Sequence, residues 1–384
     1  MMRAVMKTTF AAAALAGLVH AWPGAQAQPP SRQPVTAAQY EQWKKQISNW
    51  GRWGAADEIG TMNLITPAKR REAARLVRDG ESVSLSSDAD TVKAVDNPNP
   101  YEVTMQGIAS DRLAINYHGI THTHLDSLAH INENGVFYNG YKPDPEAVAR
   151  DRHAKNSIHN FKNGIFTRGV LIDIARLKGV PFLEPGTPIY VEDLEAWEKR
   201  TGVKVGSGDA LFIRTGVWAR RKAQGPWLRG RAEGGRSAGL DASVIPWLRQ
   251  RDVALLGSDH PQYVSPGEAG GAPRGAVHDF ALVYLGMPLF DNCDLEALAD
   301  AAAAKKRWEF LLTASPLAIR GGTGSPLNPI ATRVGRLRLS FPPARTAKAV
   351  CSCPAPVSMC CSLEAWSPEP GAWSPLERSD RIER

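Results

Sequence analysis

The chain has 384 residues, of which 43% are hydrophobic, enough to bury a sizeable core in one large domain or two. Its formal net charge of +7 sits mostly at the ends: residues 1–27 contribute +2 and residues 333–384 contribute +3, so the body keeps only +2. That balance excludes the electrostatic footprint of a polyanion binder, and no basic stripe is interleaved with aromatics, so no nucleic-acid partner is expected.

In chain order, Arg3 and Lys7 form a short basic region, Phe10 to Trp22 is mainly apolar, and Ala25-Gln26-Ala27 has the small-x-small cleavage pattern. Residues 1–27 therefore read as a cleavable signal peptide, and the product is expected to be periplasmic or secreted. The apolar run is too short to span a bilayer comfortably, and nothing later reaches the ~20 apolar residues of a membrane span, so no membrane partner is expected. Residues 28–36 are Pro- and Gln-rich and read as a flexible leader. A-A-Q-Y-E-Q-W-K-K-Q-I from Ala37 predicts an amphipathic helix, and the Gly- and Trp-dense segment after it predicts a packed loop. Thr66-Pro67 starts a second helix, with Thr66 as its cap and Gly80 at its end.

A strand is expected over Ser82–Ser86 and a loop over Asp88–Pro100. Thr167–Ile174 and Asp209–Thr215 read as buried strands on either side of a helix over Val191–Lys199 that Gly202 closes. Asp241–Arg251 reads as a helix with Pro246 near its start, and V-A-L-L-G-S-D-H as a strand ending in polar residues, the usual place for site residues in such folds. His278 begins a further apolar element, Asp294–Lys305 is an Ala-rich helix, and Phe310–Ala314 is a last core strand before R-G-G-T-G-S-P, a closing loop. Strand, helix and strand repeated around one core argue for an α/β or α+β architecture. Residues 333–384 are rich in Arg, Pro, Cys and Ser without apolar period and read as a disordered tail. Four of the five cysteines, Cys351, Cys353, Cys360 and Cys361, lie there, so the body, with Cys293 alone, needs no disulfide framework.

The most informative stretch runs from Tyr117 to Asn132, Y-H-G-I-T-H-T-H-L-D-S-L-A-H-I-N, which holds four of the nine histidines. It is expected to be a strand end, a turn, and a helix beginning near Ser127. His and Asp are nitrogen and oxygen ligands of zinc and manganese, and an extended backbone sends alternate residues to one side. His118, His122, His124 and Asp126 are thus candidates to converge on one ion. The bland alternative is a polar strand facing solvent; it suits one lone His better than H-x-H-x-D with another His four residues on.

T-H-T-H-L-D-S-L-A-H resembles the signature H-x-G-T-H-x-D-x-P-x-H of the metal-dependent cyclase family, which includes kynurenine formamidases, isatin hydrolases and a dienelactone hydrolase. His124, Asp126 and His130 fall on its second His, its Asp and its last His, whereas Ile120 stands at its first His and Leu128 at its Pro. The right spacing recurs two residues early, so the missing ligand is either His118 or His122. W-G-A-A-D-E-I-G-T-M-N, T-R-G-V-L-I-D, G-D-A-L-F-I-R-T-G, L-L-G-S-D and G-M-P-L-F-D-N-C-D-L extend the resemblance over roughly residues 45–332. It implies a swivelling β/β/α cyclase-like α/β fold in a single domain over residues 37–332, and a homo-oligomer. It also implies a His and a Glu completing a site for one or two ions, with His278 at the His position and Asp291, one methylene shorter, near the Glu position. The alternative for Asp291 is a helix cap.

A divalent ion, Zn or Mn, held by His and carboxylate lowers the pKa of a bound water and polarises a carbonyl. His130, four residues from Asp126, is the candidate general base and then acid; the alternative is a His that orients Asp126. Trp50 and Trp53 offer an aromatic wall, or core packing. G-R-S-A-G over Gly235–Gly239 lacks the apolar strand of a serine-hydrolase elbow, and G-G-T-G-S-P lacks the Lys of a P-loop. The expected function is a metal-dependent hydrolase of an amide or formamide C–N bond, arylformamidase-like, acting on a small aromatic or cyclic molecule. Alternatives are a lactone hydrolase with the same site and a non-catalytic periplasmic metal-binding protein.

Overall fold

The computed structural model describes residues 33–332 except 78, 79, 151, 154, 232 and 266–270. The expected signal peptide, the start of the leader and the expected tail lie outside the described residues. The end of the leader belongs to the body: Val35 is buried, and Thr36 Oγ1 accepts from Gln39 N to cap the helix Ala37–Gln46. Thr66 caps Pro67–Ala74 in the same way, with Pro67 at the first position, where its missing N–H costs nothing. That helix ends at Ala74, before Gly80. Val191–Thr201 ends on Gly202 at φ +74°, a left-handed cap that a side chain would disfavour.

The strands in chain order are β1 (Ser82–Ser84), β2 (Glu102–Met105), β3 (Asp111–Ala114), β4 (His124–Asp126) and β5 (Ile165–Asp173). There follow β6 (Pro188–Ile189), β7 (Ala210–Arg214), β8 (Gly239–Leu240) and β9 (Leu255–Ser258). The last are β10 (Leu289–Asp291), β11 (Glu309–Ala314), β12 (Gly324–Pro326) and β13 (Ile330–Thr332). Nine of them form a mixed, curled sheet in the order β1-β13-β11-β5-β7-β9-β10-β4-β12. β5, β7, β9 and β10 run parallel, and the other pairings in this sheet are antiparallel. The protein is thus a mixed α/β fold with one domain built on that sheet.

The parallel strands are buried on both faces, which is why they read as apolar runs in the sequence. Phe212 on β7 lies between Phe290 and Phe310, with centroid distances of 5.7 and 5.8 Å. Gly257 on β9 leaves the room Phe212 needs, since a Cβ there would meet Cδ1 and Cε1 of that ring at 2.5 Å. Trp197, on the helix Val191–Thr201, is buried and its Nε1 donates to Leu171 O at 2.9 Å.

Two expectations and one alternative require correction. No helix begins near Ser127: Ser127 Oγ accepts from Ala129 N and Ser127 O from His130 N, which closes a turn directly after β4. The expected loop Gly321–Pro326 includes an edge strand, β12, because its small residues pair against β4. Asp291 is not a helix cap; it sits in β10, while Asp294 Oδ1 accepts from Glu296 N at the start of Glu296–Lys305. The hairpin β2–β3 and the short pair β6–β8 were not anticipated at all.

Gly257→Ala tests the packing around Phe212. Urea unfolding is expected to show a loss of ~1–3 kcal/mol with an unchanged m-value, and an unaltered midpoint would contradict the contact.

Candidate metal centre

β4 is the scaffold of the centre. Its antiparallel register with β10 sets Asp291 opposite His124, and its register with β12 sets Gly324 opposite Asp126. Side chains directly opposed across a ladder share a face, so His124, Asp126 and Asp291 project together. The chain before β4 bends at Gly119 (φ +142°) and folds His118 back over Asp126. Gly324 makes that approach feasible, since a Cβ there would lie 2.9 Å from His118 Cε1.

Asp126 is fully buried, and imidazole nitrogens surround it. His118 Nδ1 and His124 Nε2 lie 2.9 and 3.3 Å from Oδ1, and His278 Nε2 and His130 Nε2 lie 3.3 and 3.8 Å from Oδ2. His278 Nε2 is also 3.5 Å from Asp291 Oδ2. Despite these distances neither oxygen of Asp126, nor His118 Nδ1, has a hydrogen bond of acceptable geometry among the described residues. The far sides of the rings are held. His124 Nδ1 donates to His122 O at 2.7 Å, which directs its Nε2 inward. His118 Nε2 meets Thr323 Oγ1 at 2.9 Å, and His278 Nδ1 lies 3.4 Å from Asp279 Oδ1. Such outer partners fix ring orientation and tautomer around a cation. Two groups of ligand atoms lie within 4.8 Å of one another, His118–Asp126–His130 and His124–Asp126–Asp291, with Asp126 common to both.

The local field differs from ring to ring. Burial disfavours a charged His278, but the carboxylates of Asp126, Asp279 and Asp291 beside it raise its pKa well above the free value. His124 is raised likewise, against burial, by Asp126. Burial draws His130 the other way, to about 4, with the imidazoles of His118, His278 and His124 reinforcing it and Asp126 opposing. Burial would raise Asp126, yet the neighbouring imidazoles hold it well below the usual carboxylate range. His130 stacks flat on His118, with centroids 3.8 Å apart and planes at 6°, and is the ring of the group drawn toward the neutral form.

Of the residues singled out in the sequence, His118, His124, Asp126, His130, His278 and Asp291 come together. His122 does not. Residues 121–123 form a bend rather than a strand, so the expected alternation fails, and the His122 ring points to Asn99 O (3.1 Å) and packs edge-on to Tyr101. Ile120, in the position of a ligand, lines a cavity of about 280 Å3 at the centre with Ile131, Pro261, Tyr263, His130 and His278. Trp50 and Trp53 are not on that wall. Trp50 stacks on Tyr284 and donates to Val283 O, and Trp53 lies under the Arg52 guanidinium. His159 is half-buried away from the centre, and His153 borders a separate groove with Tyr117 and Thr323. Ser237 of G-R-S-A-G is buried and accepts from Gly230 N, a structural role.

Several residues of the site escaped notice. Gln262 Nε2 donates to Asp291 Oδ1 and to Phe290 O, both at 2.9 Å, and so orients the carboxylate. Asp279 follows His278 directly, and this His-Asp pair was a visible signal. Arg231, ion-paired with Asp279, sits in a loop that looked merely basic. Asp259, at the polar end of β9, takes no part: it accepts from the amides of Thr215, Gly216 and Val217 and anchors the helix Val217–Gln224. Neither nitrogen of the buried His260 beside it has a partner among the described residues.

The family model "Cyclase", described as "Putative cyclase", matches residues 61–263, more than half of the chain, and the protein belongs to that family. A crystal structure described as that of a novel cyclase is 31% identical, with a TM-score of 0.66 over 75% of this chain and 100% of its own. Isatin hydrolase A from Labrenzia aggregata is 18% identical, with a TM-score of 0.49 over 68% of this chain and 96% of its own. The Ralstonia solanacearum enzyme is 20% identical, with a TM-score of 0.47 over 70% and 97%. No curated protein matches the chain.

Zinc titration separates the two histidines that compete for the place of Ile120. His118→Ala is expected to weaken zinc binding by at least about 100-fold, whereas His122→Ala leaves it within about twofold. Equal effects would reject the assignment.

Proposed function

We propose that the protein is a metal-dependent hydrolase that cleaves an amide or formamide C–N bond of a small, ring-containing molecule. The observation that carries this reading is the carboxylate of Asp126, buried and without a hydrogen bond among the described residues, with four imidazole nitrogens turned toward it. Lone pairs facing a carboxylate in a buried site repel unless a cation or a proton intervenes. The donor set, imidazole and carboxylate, suits zinc or manganese. His118, His124, Asp126, His278 and Asp291 would hold the metal, in one site or in two that share Asp126.

A divalent ion bound there supplies a Lewis acid and a water of lowered pKa. His130 accepts the proton of the attacking water at Nε2. Burial among other imidazoles keeps it neutral and so able to do this, and it returns the proton to the departing nitrogen. Its distance of 3.8 Å from Asp126 Oδ2 is too long for a hydrogen bond and leaves the nitrogen free for that exchange. Ile120, Ile131, Pro261 and Tyr263 supply an apolar wall that keeps bulk water from the reacting carbonyl, and a cavity of about 280 Å3 suits a substrate of one or two rings. The order of basic, apolar and small residues in 1–27 supports an exported enzyme.

Chelation is expected to abolish hydrolysis of formanilide, and added zinc or manganese to restore it; full activity in a metal-free preparation would overturn the mechanism. His130→Ala is expected to lower the rate by about 10^2–10^4-fold with the metal content retained. If the metal is lost as well, His130 is a ligand with His118 and Asp126. A protein that carries metal without turnover would hydrolyse none of the panel of formamides, cyclic imides and lactones.

A further inference from the structure

A second cavity, of about 220 Å3, adjoins the first and shares Gly119, Ile120 and Arg231 with it. Its lining includes two arginines, Arg229 and Arg231, and no carboxylate. Arg229 is fully buried, a costly position for a guanidinium that lacks a full set of partners. Its Nη2 lies 3.3 Å from Asp96 Oδ2, but that oxygen already accepts Arg221 Nε at 2.8 Å. The Nε and Nη1 of Arg229 have no partner among the described residues. The rings of Trp218 and Trp227 flank it at 5.5 and 5.1 Å, so the group is held in place. Burial draws its pKa down to about 10, which leaves it charged at neutral pH.

Other groups of the lining are also short of partners, for His122 Nδ1 and Asn97 Oδ1 are buried and unbonded among the described residues. Buried polar groups are seldom left so, and several of them around one cavity call for a polar occupant. The space exceeds by several-fold the ~30 Å3 share of one water. Asp96 is shared between Arg221 and Arg229, while Arg221 also pairs with Asp90 and Arg231 with Asp279, so what the cavity offers an incoming anion is the unsatisfied N–H donors of Arg229 rather than an excess of charge.

We infer that this cavity is an acid subsite, which takes a carboxylate carried by the substrate while the amide of the same molecule lies at the adjoining centre. The inference rests on reading that centre as the place of hydrolysis, and it narrows the substrate class to amides that bear a carboxylate about one ring away. Arg229 provides the N–H donors, and Arg231, between the two cavities, orients the molecule across Ile120. Gly230 between them sits at φ +77° with Ile120 Cγ2 only 2.6 Å from where a Cβ would be, so the backbone there admits no side chain and keeps the two arginines close to the passage.

The test compares N-formylanthranilate with formanilide, the same formamide with and without a carboxylate, on the metal-loaded full chain. The ratio of kcat/KM is expected to favour the acid by about 10–100-fold, to approach one in Arg229→Met, and to be kept in part in Arg229→Lys. Benzoate binding, read by calorimetry, is expected to weaken at least about tenfold in Arg229→Met. Asn116→Asp, at an exposed position on the rim of this cavity, adds a negative charge without removing a buried group and is expected to weaken benzoate several-fold. It decides the matter if Arg229→Met fails to fold. If neither formamide is turned over but benzoate binds in a manner sensitive to these variants, the reading of the centre fails and the subsite stands. If formanilide is hydrolysed with no preference for the acid, and benzoate binding ignores both substitutions, the cavity holds only water and the subsite is rejected.

Discussion

The structure depends on one costly arrangement, a carboxylate sealed inside the protein at Asp126. Removing an ion of this size from water costs several kcal/mol even after relaxation, and a lone carboxylate in such a place would take up a proton instead. Here the charge persists because imidazoles stand on every side of it. The sheet provides them economically: β4 contributes His124, the bend at Gly119 returns His118, the turn after β4 supplies His130, and the helix Ala276–Phe280 adds His278. The rings of His124, His118 and His278 are fixed from behind by a carbonyl, a hydroxyl and a second carboxylate respectively, so most of the site is organised before anything binds.

The imidazoles are not equivalent, and the difference follows from what lies behind them. Asp279 and Asp291 bring negative charge to His278, whereas His130 has only Asp126 to set against three other rings. One is therefore drawn toward the charged form and the other toward the neutral form within a few ångströms. Separation of that kind between neighbouring titratable groups is the usual basis for assigning a proton acceptor.

Much of this was legible in the sequence, because it was written in local rules. Thr66-Pro67, Gly202 and the apolar runs of β5, β7 and β9 express capping and burial, which need only a few adjacent residues. His124 and Asp126, two apart on one strand, were legible for the same reason. What failed depended on partners distant in sequence. Alternation assigned His122 to the inner face, but the extended backbone begins only at His124, so His122 turns outward and His118 takes the inner place. Gln262 matters only because β10 lies beside β9, and Gly-Ser-Pro became a strand only because β4 offered it a partner. The hairpin β2–β3 is exposed throughout most of its length, and the short alternation of Val103 and Met105 faces no core, so four residues a strand were too few to mark it.

The edge strand beside the centre has a consequence of its own. β12 is three residues long and closes with Pro326, which pairs with His124 and has no N–H to offer outward. A free sheet edge invites another chain to add a strand, and one so near the functional residues would bury them in an aggregate. Shortness and proline together blunt that edge. The same Gly-Ser-Pro segment that makes room for His118 thus also keeps the margin of the active face from serving as a template for misassembly.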